Sequence, residues 1–324
     1  ERSDGERLVS LNADGSWHTK YLRYPQYPLL YHQGQSDPHR VALTFDDGPD
    51  PDWTPQVLDI LREKDVKAAF FVTGANAASN PALMRRIFAE GHEIGNHTYS
   101  HANLAGISAP RLQLELNATQ RVIESLTSRS TTLFRPPYNA DRHPQSLAEF
   151  VPLAAAQQLG YLPVSESIDT EDWRLSPPQV LLKRVRERRG EGNIVLLHDG
   201  GGDRSQTVAA LPLIIDYLQK RGDRIVSLSA LLGVPANSLM PPIPADDARD
   251  SRIVATTGFH VLNIAEELIL AFMIASTGIL LLRTLCVLVL ALRHKRTDFP
   301  PQEPDGAAAP VSVLITAYNE AKVI

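Results

Sequence analysis

Between residues 38 and 233 short apolar runs alternate with amphipathic stretches, and this alternation constrains the fold more than any other feature of the chain. Strand-like runs fall at 41–47, 68–74, 93–97, 132–136, 161–168, 193–199 and 224–229, with helical periodicity near 54–64, 80–90, 109–127, 144–159, 177–189 and 207–221. Several helical stretches stop at a glycine, as at Gly91, Gly160, Gly190 and Gly222. Strand then helix, repeated, makes an α/β domain on a parallel sheet. No phosphate-loop glycine signature follows any strand, so closure into a barrel of the TIM type is expected over an open sheet. In such a barrel the chemistry lies at the carboxyl ends of the strands.

Composition narrows the partners. A formal charge of −5 gives no reason to expect nucleic acid, and the one basic run inside the α/β region, Lys183 to Arg189, sits in a helical pattern and reads as a solvated face. The single cysteine, Cys286, rules out an intrachain disulfide. Residues 1–37 are polar and aromatic-rich around Trp17, Tyr21, Tyr24, Tyr27 and Tyr31, carry Pro25 and Pro28, and show no sustained period. They read as an N-terminal tail or linker from an upstream region. With no methionine or apolar leader at Glu1, and an end at Ile324 inside a strand-and-loop pattern, the sequence reads as a piece of a longer protein.

The first strand run ends in Asp46-Asp47-Gly48-Pro49. Adjacent carboxylates repel, so the pair is either a solvated turn or a site that wants negative charge. At the third strand end, His97-Thr98-Tyr99-Ser100-His101 sets two imidazoles four residues apart, able to converge on one cation from a helical turn or a tight loop. Joined to an aspartate from another strand end, they make a three-ligand set that leaves a coordination position for water. His92, five residues before His97, points to the opposite strand face and stays outside the set. Later strand ends carry Arg135 and Tyr138 in RPPY, Asp169, Asp172 and Trp173 in DTEDW, and Leu196 and His198 in LLHDG.

In order, TFDDG, HTYSH, RPPY, DTEDW and LLH resemble the five motifs of the NodB-like polysaccharide deacetylases, carbohydrate esterase family 4, over roughly residues 38–233. The resemblance implies a distorted (β/α) barrel, one divalent metal (zinc first, with cobalt, nickel or manganese open), and hydrolysis of the acetamide on N-acetylglucosamine-type polysaccharide. It makes Asp47, His97 and His101 the metal ligands, Asp46 the general base, and Arg135 its ion-pair partner. It makes Tyr138 the oxyanion donor through its backbone N–H, His198 the general acid and Asp172 the partner of that imidazole. Trp173 and Leu196 are then the walls of the acetyl pocket, with Tyr138 also on the substrate side. Asn139 departs from the glycine that many relatives carry after RPPY, which puts the shape of the sugar groove in question. A peptidoglycan deacetylase, or a noncatalytic glycan-binding module, is the alternative reading.

After a proline-rich linker at 234–258, residues 259–292 hold an apolar stretch broken only by Arg283 and Thr284, long enough for the hydrocarbon layer of about 30 Å. One transmembrane helix is expected there, against a buried soluble helix or a re-entrant segment. Acidic ADDARD precedes it and basic RHKR at 293–296 follows it, so the carboxyl side is expected in the cytoplasm. This implies a single-pass protein of the cell membrane with residues 38–233 extracytoplasmic. Within 293–324, the stretch PVSVLITAYNE at 310–320 resembles the first strand and loop of family 2 glycosyltransferases. The layout is similar to fusions of a deacetylase with a membrane glycan synthase.

Overall fold

The computed structural model describes residues 6–11, 17–23, 39–139, 147–244 and 260–293. The chain divides into two compact units, Glu1–Asn263 and Ile264–Ile324. The stretches 24–37 and 294–324, with the glycosyltransferase-like segment, and most of the 234–258 linker lie outside the described residues.

Within residues 1–37, which show no sustained period in the sequence, the described residues form a pair of strands. Strands β1 (Glu6–Leu11) and β2 (Trp17–Arg23) pair antiparallel, from Arg7 opposite Tyr21 to Leu11 opposite Trp17. Asp14-Gly15 between them is a hairpin signal that the surrounding aromatics and prolines obscured.

The main sheet contains β3 (Arg40–Asp46), β4 (Ala69–Val72), β5 (Glu93–Asn96), β6 (Leu133–Phe134), β7 (Leu162–Pro163), β8 (Ile168–Asp169), β9 (Ile194–His198) and β10 (Arg224–Ile225). Every pairing is parallel, in the order β7-β6-β5-β4-β3-β9-β8, with β10 against the start of β3. Helices α1 (Thr54–Glu63), α2 (Gly74–Ser79), α3 (Pro81–Ala89), α4 (Ala109–Thr127), α5 (Leu147–Gln158), α6 (Pro178–Arg188) and α7 (Ser205–Lys220) fill the crossovers, and α8 (Leu228–Leu232) and α9 (Ala236–Leu239) follow β10. This is the curled parallel sheet of a distorted (β/α) barrel.

Two strand assignments need correction. The run at 161–168 is not one strand: β7 ends one edge of the sheet and β8 the other, so Val164 to Ser167 carries the chain from one edge of the curled sheet to the other. Ser165, Glu166 and Ser167 supply no alternation for a ladder, and Ser167 instead donates its N–H to the Ile194 carbonyl at 3.1 Å. The run at 224–229 stops after two residues because Ser227 caps α8, its hydroxyl accepting the Ala230 N–H.

Alternation along the strands sorts the core into two layers. Val41, Leu43, Phe45, Val195 and Leu197 face outward and pack with Leu58, Leu61, Leu181, Ile214 and Leu218 from the helices, all fully buried. In α1 the apolar spacing Val57, Leu58, Leu61 makes that inward stripe. The opposite strand face holds Ala42, Ala69, Leu133 and Ile194 near the strand starts, and Leu228, Leu231 and Leu239 from α8 and α9 pack against them. Thr44, Asp46, Leu196 and His198 continue that inner face toward the carboxyl ends.

The basic run of α6 is also not a plain solvated face. Arg189 is 4% exposed and forms a two-nitrogen pair with Asp223 (both contacts 3.0 Å), while Arg184 and Arg188 reach Glu171 at 3.2 and 3.3 Å.

In the C-terminal region α10 (His260–Arg293) is one continuous helix, of which Leu268–Arg293 is long and apolar enough to cross a membrane. Those 26 residues span about 39 Å at about 1.5 Å per residue.

Candidate active site and metal centre

Asp46 ends β3 in register with Phe71 of β4 and His198 of β9, so three strand ends converge on it. It is 2% exposed. Arg135, fully buried just after β6, donates Nη1 to Asp46 Oδ1 at 2.7 Å and to Thr44 Oγ1 at 2.9 Å. Its Nε donates to the Val164 carbonyl at 2.9 Å, and the guanidinium lies 4.2 Å from the centroid of the Phe71 ring. These contacts fix the carboxylate in one orientation, with Oδ1 committed and Oδ2 turned toward His97 Nε2 at 3.9 Å.

Asp47 has a left-handed backbone (φ 74°), which swings its carboxylate away from that of Asp46 toward the imidazoles. The glycines after β9 make room for it: a Cβ on Gly201 would come within 2.5 Å of Asp47 Oδ2, and Gly201 itself has φ 76°. Asp47 Oδ1 lies 3.4 Å from His97 Nε2 and 3.1 Å from His101 Nε2. His97 Nδ1 is 2.8 Å from the Arg135 carbonyl, which can only accept, so that nitrogen carries a proton and Nε2 is the nitrogen left to face the site.

The ligand atoms of Asp47, His97 and His101 lie within 4.8 Å of one another. Asp47 Oδ1 is buried and has no hydrogen-bond partner among the described residues. A buried carboxylate oxygen facing imidazole nitrogens fits a cation between them, and one carboxylate with two imidazoles is a donor set that divalent zinc-like metals take. His92 stays apart, as expected. Its Nδ1 accepts the Ala68 N–H at 3.1 Å, and burial pushes its pKa down to about 4.

His198, at the end of β9, lies with Nδ1 2.7 Å from Asp172 Oδ1. Asp172 Oδ2 accepts the His198 backbone N–H at 2.8 Å and the Thr207 hydroxyl at 2.7 Å. Burial lowers the imidazole pKa, but Asp172, with smaller contributions from Asp47 and Asp46, pushes it up to about 9. Burial likewise raises the Asp172 carboxyl, and His198 and Thr207 outweigh it and hold it low.

Strain gathers here: Asp47, Thr98, His101, Tyr138, Glu171 and Leu175 all have positive φ. Tyr138 (φ 64°) sits in the tight turn Pro137–Asn139, with its ring 66% exposed and edge-on to His101 at 4.7 Å between centroids. The side chain of Asn139 lies outside what is described. Trp173 is half-exposed on the turn that carries Asp172, and Leu196 lies two residues before His198 on the same strand face, 1% exposed. Asp169 braces this turn by accepting the Glu171 N–H at 2.7 Å.

The sequence reading missed several residues at this site. Thr207 meets Asp172 from 35 residues away. Asp199, fully buried, accepts the Thr54 hydroxyl at 2.6 Å, and burial together with the charges of Asp47 and Asp46 pushes its carboxyl up to about 7. Glu115 holds the loop between the imidazoles. Only Asp199 had a local signal, its place beside His198.

Residues 33–164 match the family model described as polysaccharide deacetylase. A peptidoglycan-N-acetylglucosamine deacetylase of Bacillus cereus is 42% identical over 196 residues, covering 59% of this chain and 87% of that protein. A chitooligosaccharide deacetylase of Azorhizobium caulinodans is 34% identical over 194 residues, covering 56% of this chain and 89% of that protein. The crystal structure of the Bc1960 peptidoglycan N-acetylglucosamine deacetylase superposes with a TM-score of 0.60 at 33% identity, covering 65% of this chain and 95% of that one. With nearly the whole of those proteins matched by the barrel that carries these strand-end residues, the chain belongs to the polysaccharide deacetylase family.

Proposed function

We propose that residues 38–233 form an N-deacetylase domain that hydrolyses the acetamide of N-acetylglucosamine units in a polysaccharide, with one divalent cation held by Asp47, His97 and His101. The observation that carries this reading is the meeting of the Arg135–Asp46 pair, the Asp47–His97–His101 cluster and the Asp172–His198 pair at adjoining strand ends. Zinc is the first candidate, with cobalt, nickel or manganese as alternatives. When bound, such a cation supplies the charge that lowers the pKa of a water toward ~7 and polarises the acetyl carbonyl.

The chain's own groups do the rest. Asp46 takes a proton from the attacking water through Oδ2, the oxygen that Arg135 leaves uncommitted. The Tyr138 N–H donates to the developing oxyanion, and such donors contribute about 2.7–4 kcal/mol. His198 donates the proton from Nε2 to the amine nitrogen as the C–N bond breaks, while Asp172 orients the ring and stabilises the imidazolium. Trp173 and Leu196, with Tyr138, bound the space for the acetylated sugar.

Asp172→Asn should move the basic limb of the pH–kcat/KM profile to lower pH. The carboxylate raises the pKa of His198, so removing its charge lets the imidazole lose its proton sooner as pH rises. If activity falls while that limb stays in place, Asp172 has no electrostatic role.

The peptidoglycan and chitooligosaccharide deacetylases similar to this chain support N-acetylglucosamine as the reacting sugar. Acetate release from peptidoglycan fragments, chitin oligomers and poly-N-acetylglucosamine would rank the polymers. Release from none of them, with metal supplied, would overturn the enzymatic reading.

The length and composition of α10 support a single membrane crossing, and the basic run at 293–296 supports a cytoplasmic carboxyl side. On this reading the deacetylase domain is extracytoplasmic, and residues 310–324 begin a cytoplasmic family 2 glycosyltransferase whose product the deacetylase modifies. The orientation is tested in intact cells with an impermeant thiol reagent, in a Cys286→Ala background. Lys183→Cys should label and Thr297→Cys should not; protection of position 183 in cells that label at 297 would invert the topology.

A further inference from the structure

We propose that Glu115 is a positioning residue for the cation site, the group that holds His97 and His101 at ligating separation and so sets how tightly a divalent metal is bound. The inference rests on the metal reading above. The segment joining the two imidazoles is neither helix nor strand, and its backbone is left-handed at Thr98 (φ 66°) and His101 (φ 54°). For a β-branched residue such as Thr98 this conformation is unfavourable, so outside contacts must impose it.

Glu115, on α4 and 2% exposed, supplies those contacts on the amide side. Its Oε2 accepts the N–H of Tyr99 at 2.9 Å and of Ser100 at 2.8 Å. Its Oε1 accepts the Ser100 hydroxyl at 2.8 Å and Arg111 Nε and Nη2 at 3.0 and 2.7 Å. On the carbonyl side, the N–H groups of Gly74 and Ala75 at the start of α2 donate to Thr98 and Tyr99 at 2.9 and 3.0 Å. Gly74 lacks a side chain where the Tyr99 ring lies, so the segment is clamped between α2 and α4.

Only a carboxylate suits this position, because the side chain of Glu115 meets donors: two backbone amides, a hydroxyl and a guanidinium. A glutamine would turn an NH2 group toward some of them. Burial opposes the charge of Glu115, yet these donors outweigh it and hold the carboxyl below its ordinary range. The contact reaches the imidazoles through the backbone, in the way that outer partners of metal ligands fix ligand orientation.

The test is Zn2+ affinity of the full-length chain in detergent, measured by competition with a chromophoric chelator, for wild type, Glu115→Gln, Glu115→Asp and Ser100→Ala. Glu115→Gln should bind about 10- to 100-fold more weakly, the range for loss of an outer-shell partner, and excess Zn2+ should restore much of its kcat. Glu115→Asp should recover part of the affinity. Wild-type affinity in Glu115→Gln, or a kcat deficit that saturating Zn2+ leaves untouched, would overturn the inference while leaving the metal reading intact. Wild type that binds no Zn2+ would remove both. If Glu115→Gln does not fold, Ser100→Ala decides: it loses one donor to Oε1 and should bind at least twofold more weakly, and unchanged affinity there counts against the proposal.

Discussion

An Asp46→Asn enzyme is expected to keep its divalent cation and lose turnover about 10²- to 10⁴-fold, the range associated with a positioned general acid or base. The substitution preserves shape and an oxygen for Arg135 Nη1 while removing the capacity to take up a proton at working pH. His97→Ala should behave differently, losing cation and turnover together, because Nε2 is one of three converging ligand atoms. Elemental analysis and acetate release on both variants separate the roles. An Asp46→Asn enzyme with near wild-type rate removes Asp46 as the base, and full metal content in His97→Ala removes His97 as a ligand.

Arg135→Met should be the most destabilising substitution at the site, by about 3–5 kcal/mol, because it strands a charge in a buried environment. The side chains of Arg135 and Asp46 are 0% and 3% exposed, so water cannot screen the widowed carboxylate. Methionine is close to arginine's bulk, which limits the cavity component of the loss. The double variant Arg135→Met/Asp46→Asn should therefore be more stable than Arg135→Met alone. Denaturant unfolding of all four members of the cycle measures that coupling. Strict additivity would show that packing against Phe71, and not the ion pair, is what Arg135 contributes to stability.

The outward layer of the barrel was legible because it is written locally. Val41, Leu43 and Phe45 alternate, and Val57, Leu58 and Leu61 recur at helical spacing. The break of the 161–168 run into β7 and β8 was not, since those two strands pair with β6 and β9 at opposite edges and their separation is a property of the whole curled sheet. The short β10 failed for another reason: Ser227 favours a helix cap over a continued ladder. The β1–β2 pairing was hidden because the aromatics and prolines of residues 1–37 mask the short alternation of its strands.

At the site, each strand-end residue named from the motifs lies where the barrel brings strand ends together. What held those residues was invisible in the sequence. Glu115 lies 14 residues beyond His101, and nothing in an acidic position on an amphipathic helix separates a buried clamp from a solvated charge until the loop folds back over it. The left-handed backbone at Asp47, Thr98, His101 and Tyr138 was equally hidden, because none is glycine, the residue whose presence signals that conformation in a sequence.

The apolar packing of Leu228, Leu231 and Leu239 covers the inner face of the sheet at the strand starts. Below Asp46 the interior is occupied by Arg135, Phe71 and the small inner-face residues, so no glycan can be threaded through it. On the proposed function, a polymer would lie across the rim and present its acetyl groups sideways. Deacetylation in that geometry requires no free chain end, and the spacing of modified sugars depends on where along its length the polymer settles.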